Sequence, residues 1–277
     1  MLGRAVHELV PPIGLAFWRW AVASLLILPF VWPAMQREWP LLRAHLVRLL
    51  ILAALGVSGF NTCVYLGLQT TSATNSVLIQ STLPLLILLL NRLLFDTVVG
   101  LKSMISILLS LAGVLLILGA GNPLRLAAGQ WNPGDLWVFA AAWIWALYSV
   151  LLRWRPAGLT SAAFLGFTVL AGCVLLSPAY VLETALGRPM VWSQPVILAV
   201  AYVAVFPSAL AYLFWNRGVA TVGANAAGHF VHLMPVFGSA MAIGFLGEAF
   251  HWYHLVGALL VAVGILLTLL RRDTRSA

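Results

Sequence analysis

Charge is what this sequence lacks. Asp, Glu, Lys and Arg make up 8% of its 277 residues, against 62% hydrophobic residues and a mean hydropathy of +1.02. A water-soluble domain carries roughly a quarter charged residues, because it must cover its outside. The scarcity excludes a soluble globular fold and leaves one whose outside is lipid. Carboxylates are scarcest of all. Glu8, Glu38, Asp96, Asp135, Glu183, Glu248 and Asp273 are the full set, and each maps to a loop or a helix end. None is expected near the midplane of a span, where cation-coupled carriers usually need one, so an Asp/Glu proton or sodium site has no support. The two cysteines, Cys63 and Cys173, lie in apolar runs without metal-type spacing and read as small core residues. Residues 1–10 lack the ordered charged and apolar regions of a signal peptide. The sequence has no H-E-x-x-H, no paired intramembrane aspartates and no Gly-x-Ser-x-Gly, so the usual marks of a membrane enzyme are missing. Neither a metal nor a cofactor is expected.

What the chain has instead is long runs without charge. None occurs between Arg48 and Arg92, room for two spans of about 20 apolar residues and a turn. Further charge-free runs predict nine helices, at about 12–33, 47–69, 73–94, 101–120, 135–153, 160–182, 195–216, 224–246 and 253–270. Prolines and Asn-Pro pairs punctuate the short connections. The net charge of +8 does not point to nucleic acid, because most Arg and Lys sit at span ends. Arg37, Arg43, Arg48, Arg92, Lys102, Arg153, Arg155, Arg217, Arg271, Arg272 and Arg275 fall on one side, and only Arg4, Arg125 and Arg188 on the other. By the positive-inside bias the first side, with the C-terminus, is cytoplasmic. A multi-pass protein of the plasma (bacterial inner) membrane is expected, with the lipid bilayer and a small-molecule substrate as partners and a homodimer left open.

The chain also repeats itself. Gly67, Thr70, Ala73, Pro84, Leu108, Leu109, Gly113, Leu115 and Leu116 recur 151 residues later as Gly218, Thr221, Ala224, Pro235, Leu259, Leu260, Gly264, Leu266 and Leu267. Such a repeat decides architecture before any local feature does. The halves are expected at 1–121 and 134–271. Loop charges place the 69–73 turn outside and its mate at 217–223 inside, so the duplication reads as inverted, the build of many secondary transporters. The second half offers a helix before 160–182 that has no counterpart in the first, where Leu2-Gly3-Arg4 stands at the position of its end. Two readings remain: a ten-helix fold whose first helix this chain lacks, or a true nine-helix protein.

The pattern resembles the EamA-type transporters of the drug/metabolite transporter superfamily. The likeness rests on Ala16-Phe-Trp-Arg19-Trp, the Gly67-to-Pro84 segment, Tyr212-Leu-Phe-Trp-Asn-Arg-Gly218, Ala224-Asn-Ala-Ala, Pro235, and Phe245-Leu-Gly-Glu248 followed by Gly257 and Gly264. It implies an all-α polytopic membrane fold of ten helices in two inverted five-helix repeats, and transport of small metabolites. It also implies a helix-end acid, present as Glu248, whose first-half mate is Thr97.

Candidate site residues follow from polarity inside spans. Arg19 either faces a cavity or snorkels to the surface from about two turns in. Asn225, His229 and His232, at i, i+4 and i+7, share one helix face, as a cavity wall or as interhelical hydrogen-bonding groups. The first-half mate of that helix carries Thr74, Asn75, Gln80, Ser81 and Thr82, more polarity than a lipid-facing helix tolerates. Pro84 and Pro235 stand mid-span at matched positions, as hinges or static kinks. Among the aromatics, Trp143 and Tyr212 lie deepest, with Tyr65 and Asn216 on the helices that carry the repeat, although belt or packing roles compete. Were protons coupled, His229 or His232 would be the deep candidate. The expected function is a carrier of small metabolites, an exporter of amino acids or related compounds working by alternating access. A non-transporting membrane scaffold or assembly subunit, or an integral-membrane enzyme, is the alternative. Glu248 completes the set as a helix-end group.

Overall fold

A computed structural model describes residues 10–98, 100–127, 132–246 and 249–269. Among them every regular element is a helix. In chain order these are α1 (Pro12–Arg37), α2 (Trp39–Ala44), α3 (Leu46–Ala53), a π-helical turn (Ala54–Gly59), α4 (Phe60–Gly67), α5 (Ala73–Gln80), α6 (Leu83–Phe95), α7 (Leu101–Leu118) and α8 (Leu124–Ala127). Then follow α9 (Pro133–Leu151), a 3₁₀ turn (Leu152–Trp154), α10 (Ser161–Ala185), α11 (Gln194–Ala204), a second π-helical turn (Val205–Leu210), α12 (Ala211–His229), a 3₁₀ turn (Phe230–His232), α13 (Leu233–Leu246) and α14 (Trp252–Leu269).

Among the described residues, seven helical stretches are long and apolar enough to cross a membrane, and Trp252–Thr268 is a shorter apolar one. The sequence places spans at 195–216 and 224–246, whereas the structure runs them together as Gln194–Gly244, 51 residues. At 1.5 Å per residue that run would reach about 75 Å, more than twice a bilayer's hydrocarbon thickness. The break is a single residue. Gly223 takes φ 79° and ψ 157°, a conformation open to glycine and strained for any residue with a Cβ. The turn signal is therefore one glycine, without the proline or polar cluster found in the other connections. Large apolar side chains such as Leu25, Phe30, Val47, Val174 and Phe214 stand more than 60% exposed, as a lipid-facing surface requires. The chain is an all-α polytopic membrane protein.

The helices group into two compact units, residues 1–73 with 133–221, and residues 74–132 with 222–277. Each takes helices from both halves of the sequence. In the first unit, α1 packs along α10, and α4 along α9. Its core gathers Leu15, Ala16, Tyr65, Leu68, Leu176, Val196, Val200 and Val203. Small residues set the approach. A Cβ at Gly166 would meet Val31 Cγ2 at 2.6 Å, and one at Gly67 would meet Val138 Cγ2 at the same distance. The buried acids at helix ends are hydrogen-bonded. Glu183 accepts from the amides of Ile13 (3.2 Å) and Gly14 (2.6 Å), capping α1, and Asp135 accepts from the Thr71 hydroxyl.

In the second unit α7 lies against α14 around Val114, Val261 and Ile265. Lipid supplies no hydrophobic drive between helices, so close backbone approach must supply the attraction. A Cβ at Gly113 would meet the Gly257 carbonyl at 2.5 Å, and one at Gly264 would meet the Ser106 carbonyl at 2.7 Å. Gly113 and Gly264 are 151 apart, as are Ser106 and Gly257, so the two contacts are repeat mates of each other. Glu248 lies outside the described residues.

Candidate functional site

The two π-helical turns, Ala54–Gly59 and Val205–Leu210, start 151 residues apart, the period of the repeat. A π turn inserts a residue into the hydrogen-bond ladder and is found disproportionately at functional sites. At membrane depth the carbonyls it frees must be satisfied by protein. In the first unit side chains do so. The Tyr212 hydroxyl donates to the Gly56 carbonyl, and Arg19 Nη2 donates to the Pro207 carbonyl at 2.8 Å. Gly56 and Pro207 are again repeat mates. The Ser208 hydroxyl reaches back five residues to the Val203 carbonyl at 2.6 Å.

Arg19 is the hub. It is 4% exposed and does not snorkel. Its Nε donates to Ser208 Oγ at 2.7 Å, and its Nη1 to Asn61 Oδ1 at 2.7 Å and the Tyr65 hydroxyl at 2.8 Å. All four of its acceptors, the Pro207 carbonyl included, are neutral oxygens, so dipoles alone face this buried cation. The rings of Trp20 and Tyr65 add cation–π contacts at 5.2 and 5.7 Å. With its oxygen committed to Arg19, Asn61 turns its Nδ2 to the Tyr212 hydroxyl at 2.9 Å, which leaves the Tyr212 proton for Gly56. Every donor in the series therefore has one direction. Asn61 and Tyr212 are themselves 151 apart.

An aromatic cluster continues from Tyr212. Its ring meets Trp20 edge-on at 4.8 Å and Trp145 at 5.1 Å, and Trp145 lies 5.2 Å from Tyr148 and 5.3 Å from Trp215. Tyr148 donates to Asn216 Oδ1 at 2.7 Å. Trp20 Nε1, Trp215 Nε1 and Asn216 Nδ2 are buried without a hydrogen-bond partner. Buried donors are rarely left unpaired, because each forfeits its water without compensation. Trp143 is not in this cluster. Among the described residues, its ring contact is with Phe139, at 6.3 Å. Depth along the chain favoured Trp143, but residues two apart on a helix point in nearly opposite directions, and Trp145 takes the inner face.

The second unit holds the other candidates. The ladder breaks at Ser81–Thr82, just ahead of Pro84, and tightens to 3₁₀ over Phe230–His232, just ahead of Pro235. Each proline thus stands in the first turn of a restarted helix. His232 Nε2 lies 2.8 Å from the Ser81 carbonyl, its own repeat mate, and Nδ1 lies 2.6 Å from the Ser110 hydroxyl. A carbonyl only accepts, so Nε2 carries the hydrogen. His229 Nδ1 meets the Asn225 carbonyl at 2.8 Å, while its buried Nε2 has no partner. Asn91 donates to Asn225 Oδ1 at 2.6 Å. Gln80 donates only as far as Ser76 Oγ, at 3.2 Å, and Asn75 is half-buried in the first turn of α5.

The candidates thus separate. Arg19, Tyr65, Tyr212 and Asn216 belong to the first unit, and Asn75, Gln80, Ser81, Asn225, His229 and His232 to the second. Reading the sequence missed Asn61 and Ser208 in the first, and Asn91 and Ser110 in the second, and it set Trp145 and Tyr148, members of the same aromatic group, behind Trp143. Asn61 carried a usable signal. It is an amide in a charge-free run, where it must find partners, and its repeat mate is Tyr212.

Irregular backbone within membrane spans is tolerated where it is buried in protein or lines a cavity. The EamA-like transporter family model matches residues 1–119 and 132–270. The transporter YyaM of Bacillus subtilis, described as uncharacterized, is 32% identical over 92% of this chain and 83% of its own length. YetK of the same organism, described in the same words, is 27% identical over 100% of this chain and 84% of its own. One solved crystal structure superposes with a TM-score of 0.76 at 22% identity, covering 99% of this chain and 93% of that one, a likeness of fold. The chain belongs to the EamA-like transporter family.

Proposed function

We propose that the protein exports amino acids or related small metabolites by alternating access between two inverted five-helix repeats. The reading places it in the bacterial inner membrane with the C-terminus cytoplasmic. The observation that carries it is the recurrence, at the 151-residue period, of both irregularities in the spans: the π turns at 54–59 and 205–210, and the proline-marked breaks ahead of Pro84 and Pro235. Irregular backbone at membrane depth is tolerated where it is buried in protein or lines a cavity. Its duplication in both halves is what a carrier with related gates requires. The bonds Asn61–Tyr212 and Ser81–His232 join residues to their own mates, as a pseudo-two-fold relation between halves would produce within each unit.

The chemistry of the first unit supports a carboxylate-bearing substrate. Arg19 faces only neutral oxygens, and Trp215 Nε1 and Asn216 Nδ2 are donors in want of an acceptor. A strongly cationic substrate would find no carboxylate there. In the second unit, His229 and His232 are the buried titratable groups among the described residues. The test is accumulation of labelled amino acids by inside-out membrane vesicles under a pH gradient. Export predicts uptake into these vesicles that the unlabelled substrate competes away. Absence of flux for every member of a broad amino-acid and metabolite panel, with folded protein in the membrane, would overturn the reading.

A further inference from the structure

Away from both polar networks, the first unit has a cavity of about 490 Å³ at one end of the helices. Its lining includes Arg153, Arg155, Ser161, Arg217 and Thr221, with Leu152 and Leu159 as apolar wall. The volume falls in the range of small-ligand pockets. The loop is shaped to hold its arginines. Leu159 N closes a turn onto the Pro156 carbonyl at 3.2 Å, and Gly158 supplies the positive φ of 86° that this turn needs. The Leu159 carbonyl so placed accepts from Arg155 Nε (3.2 Å) and Nη2 (2.5 Å), and the guanidinium lies 5.5 Å from the Phe164 ring. Arg155 is thus fixed before any ligand arrives, with its Nη1 face uncommitted. Among the described residues, Glu38 is a carboxylate whose charge acts on Arg155, and its Oε2 accepts from the Thr160 amide at 2.8 Å. The described residues that line the cavity include three arginines and no carboxylate, so the lining is positive.

We propose that this cavity binds a phosphate-bearing anion, either the headgroup of an anionic phospholipid or a soluble phosphate ester. Planar guanidinium forks match phosphate oxygens two at a time. A phosphate offers its unesterified oxygens, two in a diester and three in a monoester, to guanidinium forks approaching from different sides. The site shares no lining residue with the Arg19 network, so it stands whether or not the transport reading does. Its arginines also belong to the set that the positive-inside bias explains, and the test separates the two roles.

Purified protein is melted, following tryptophan fluorescence, in neutral detergent with glycerol 3-phosphate, and in nanodiscs of phosphatidylglycerol against phosphatidylcholine. The variants are R217Q, at an exposed position that leaves the fold intact, and the triple lysine variant R153K/R155K/R217K, which keeps every charge. The wild type is expected to gain stability in the phosphatidylglycerol arm if the ligand is lipid, or in the glycerol 3-phosphate arm if it is soluble. Either affinity should fall about tenfold or more in R217Q and in the lysine variant, since one lost bidentate contact is worth about a decade. A lysine variant as responsive as wild type would reduce these residues to topological charge and overturn the proposal. So would the absence of any phosphate-dependent stabilisation of the wild type in both arms.

Discussion

Coupling between Asn61 and Tyr212 is the sharpest quantitative consequence of the structure. Tyr212→Phe deletes a hydroxyl that accepts from Asn61 Nδ2 at 2.9 Å and donates to the Gly56 carbonyl. Asn61 retains only long approaches of 3.4 Å to the Gly56 and Val57 carbonyls for that amide group. In water-soluble cores, leaving buried partners unsatisfied costs about 1–3 kcal/mol. Between membrane helices the average is nearer 0.6 kcal/mol, because the unfolded chain in lipid also finds partners. Two features push this pair above that average. Asn61 Oδ1 is held by a guanidinium at 2.7 Å, and a charge-assisted bond polarises the amide toward donation. The Gly56 carbonyl sits in a π turn, where the normal ladder gives it less. A coupling energy of about 1–1.5 kcal/mol is therefore expected from the cycle Asn61→Ala, Tyr212→Phe and the double variant. Reversible unfolding by SDS titration from mixed micelles measures it. Additive single effects, with coupling below about 0.3 kcal/mol, would show that the pair is not bonded as described and refute the ordering of donors from Arg19 onward.

Other outcomes follow from the same geometry. Gly113→Val should separate α7 from α14, because its Cβ would meet the Gly257 carbonyl at 2.5 Å, costing about 1–3 kcal/mol in the same SDS titration. Gly223→Ala meets no neighbour within 4 Å, so its loss of about 1–2 kcal/mol should be pure backbone strain at φ 79°, matched by Gly223→Ser and unaffected by side-chain size. Glu183→Ala removes the cap on Ile13 and Gly14 and should cost about 0.5–2 kcal/mol, with Glu183→Gln recovering part of it in thermal unfolding. His232→Gln keeps hydrogen-bonding capacity while removing titration; if protons couple through this residue, transport loses its pH dependence, and an unchanged pH profile excludes it.

The spans were legible because apolar runs and charge-free gaps report the lipid directly, one residue at a time. What failed were features set by neighbours in space. The run from Gln194 to Gly244 turns on Gly223 alone, since a backbone break in lipid needs only one residue free of a Cβ, not a polar loop. Arg19 looked equally able to snorkel, because its depth of two turns is known from sequence while Ser208 and Pro207, 188 to 189 residues away, are not. Trp143 and Trp145 are equally aromatic and two residues apart; packing, not depth along the chain, decides which of them meets Tyr212. The π turns have no compositional mark at all, yet their common offset of 151 residues aligns with the one long-range signal the sequence does carry.

Equilibrium counterflow in proteoliposomes tests the transport reading most directly. Vesicles preloaded with an unlabelled amino acid should draw in the labelled one through the wild type. Asn216→Ala, which removes the Nδ2 donor together with the acceptor of the Tyr148 hydroxyl and leaves the Arg19 bonds in place, should weaken substrate binding in protein confirmed to be folded. Counterflow that responds to Asn216 is the predicted result; folded wild-type protein that exchanges no carboxylate-bearing metabolite, or exchanges it identically after Asn216→Ala, would contradict it.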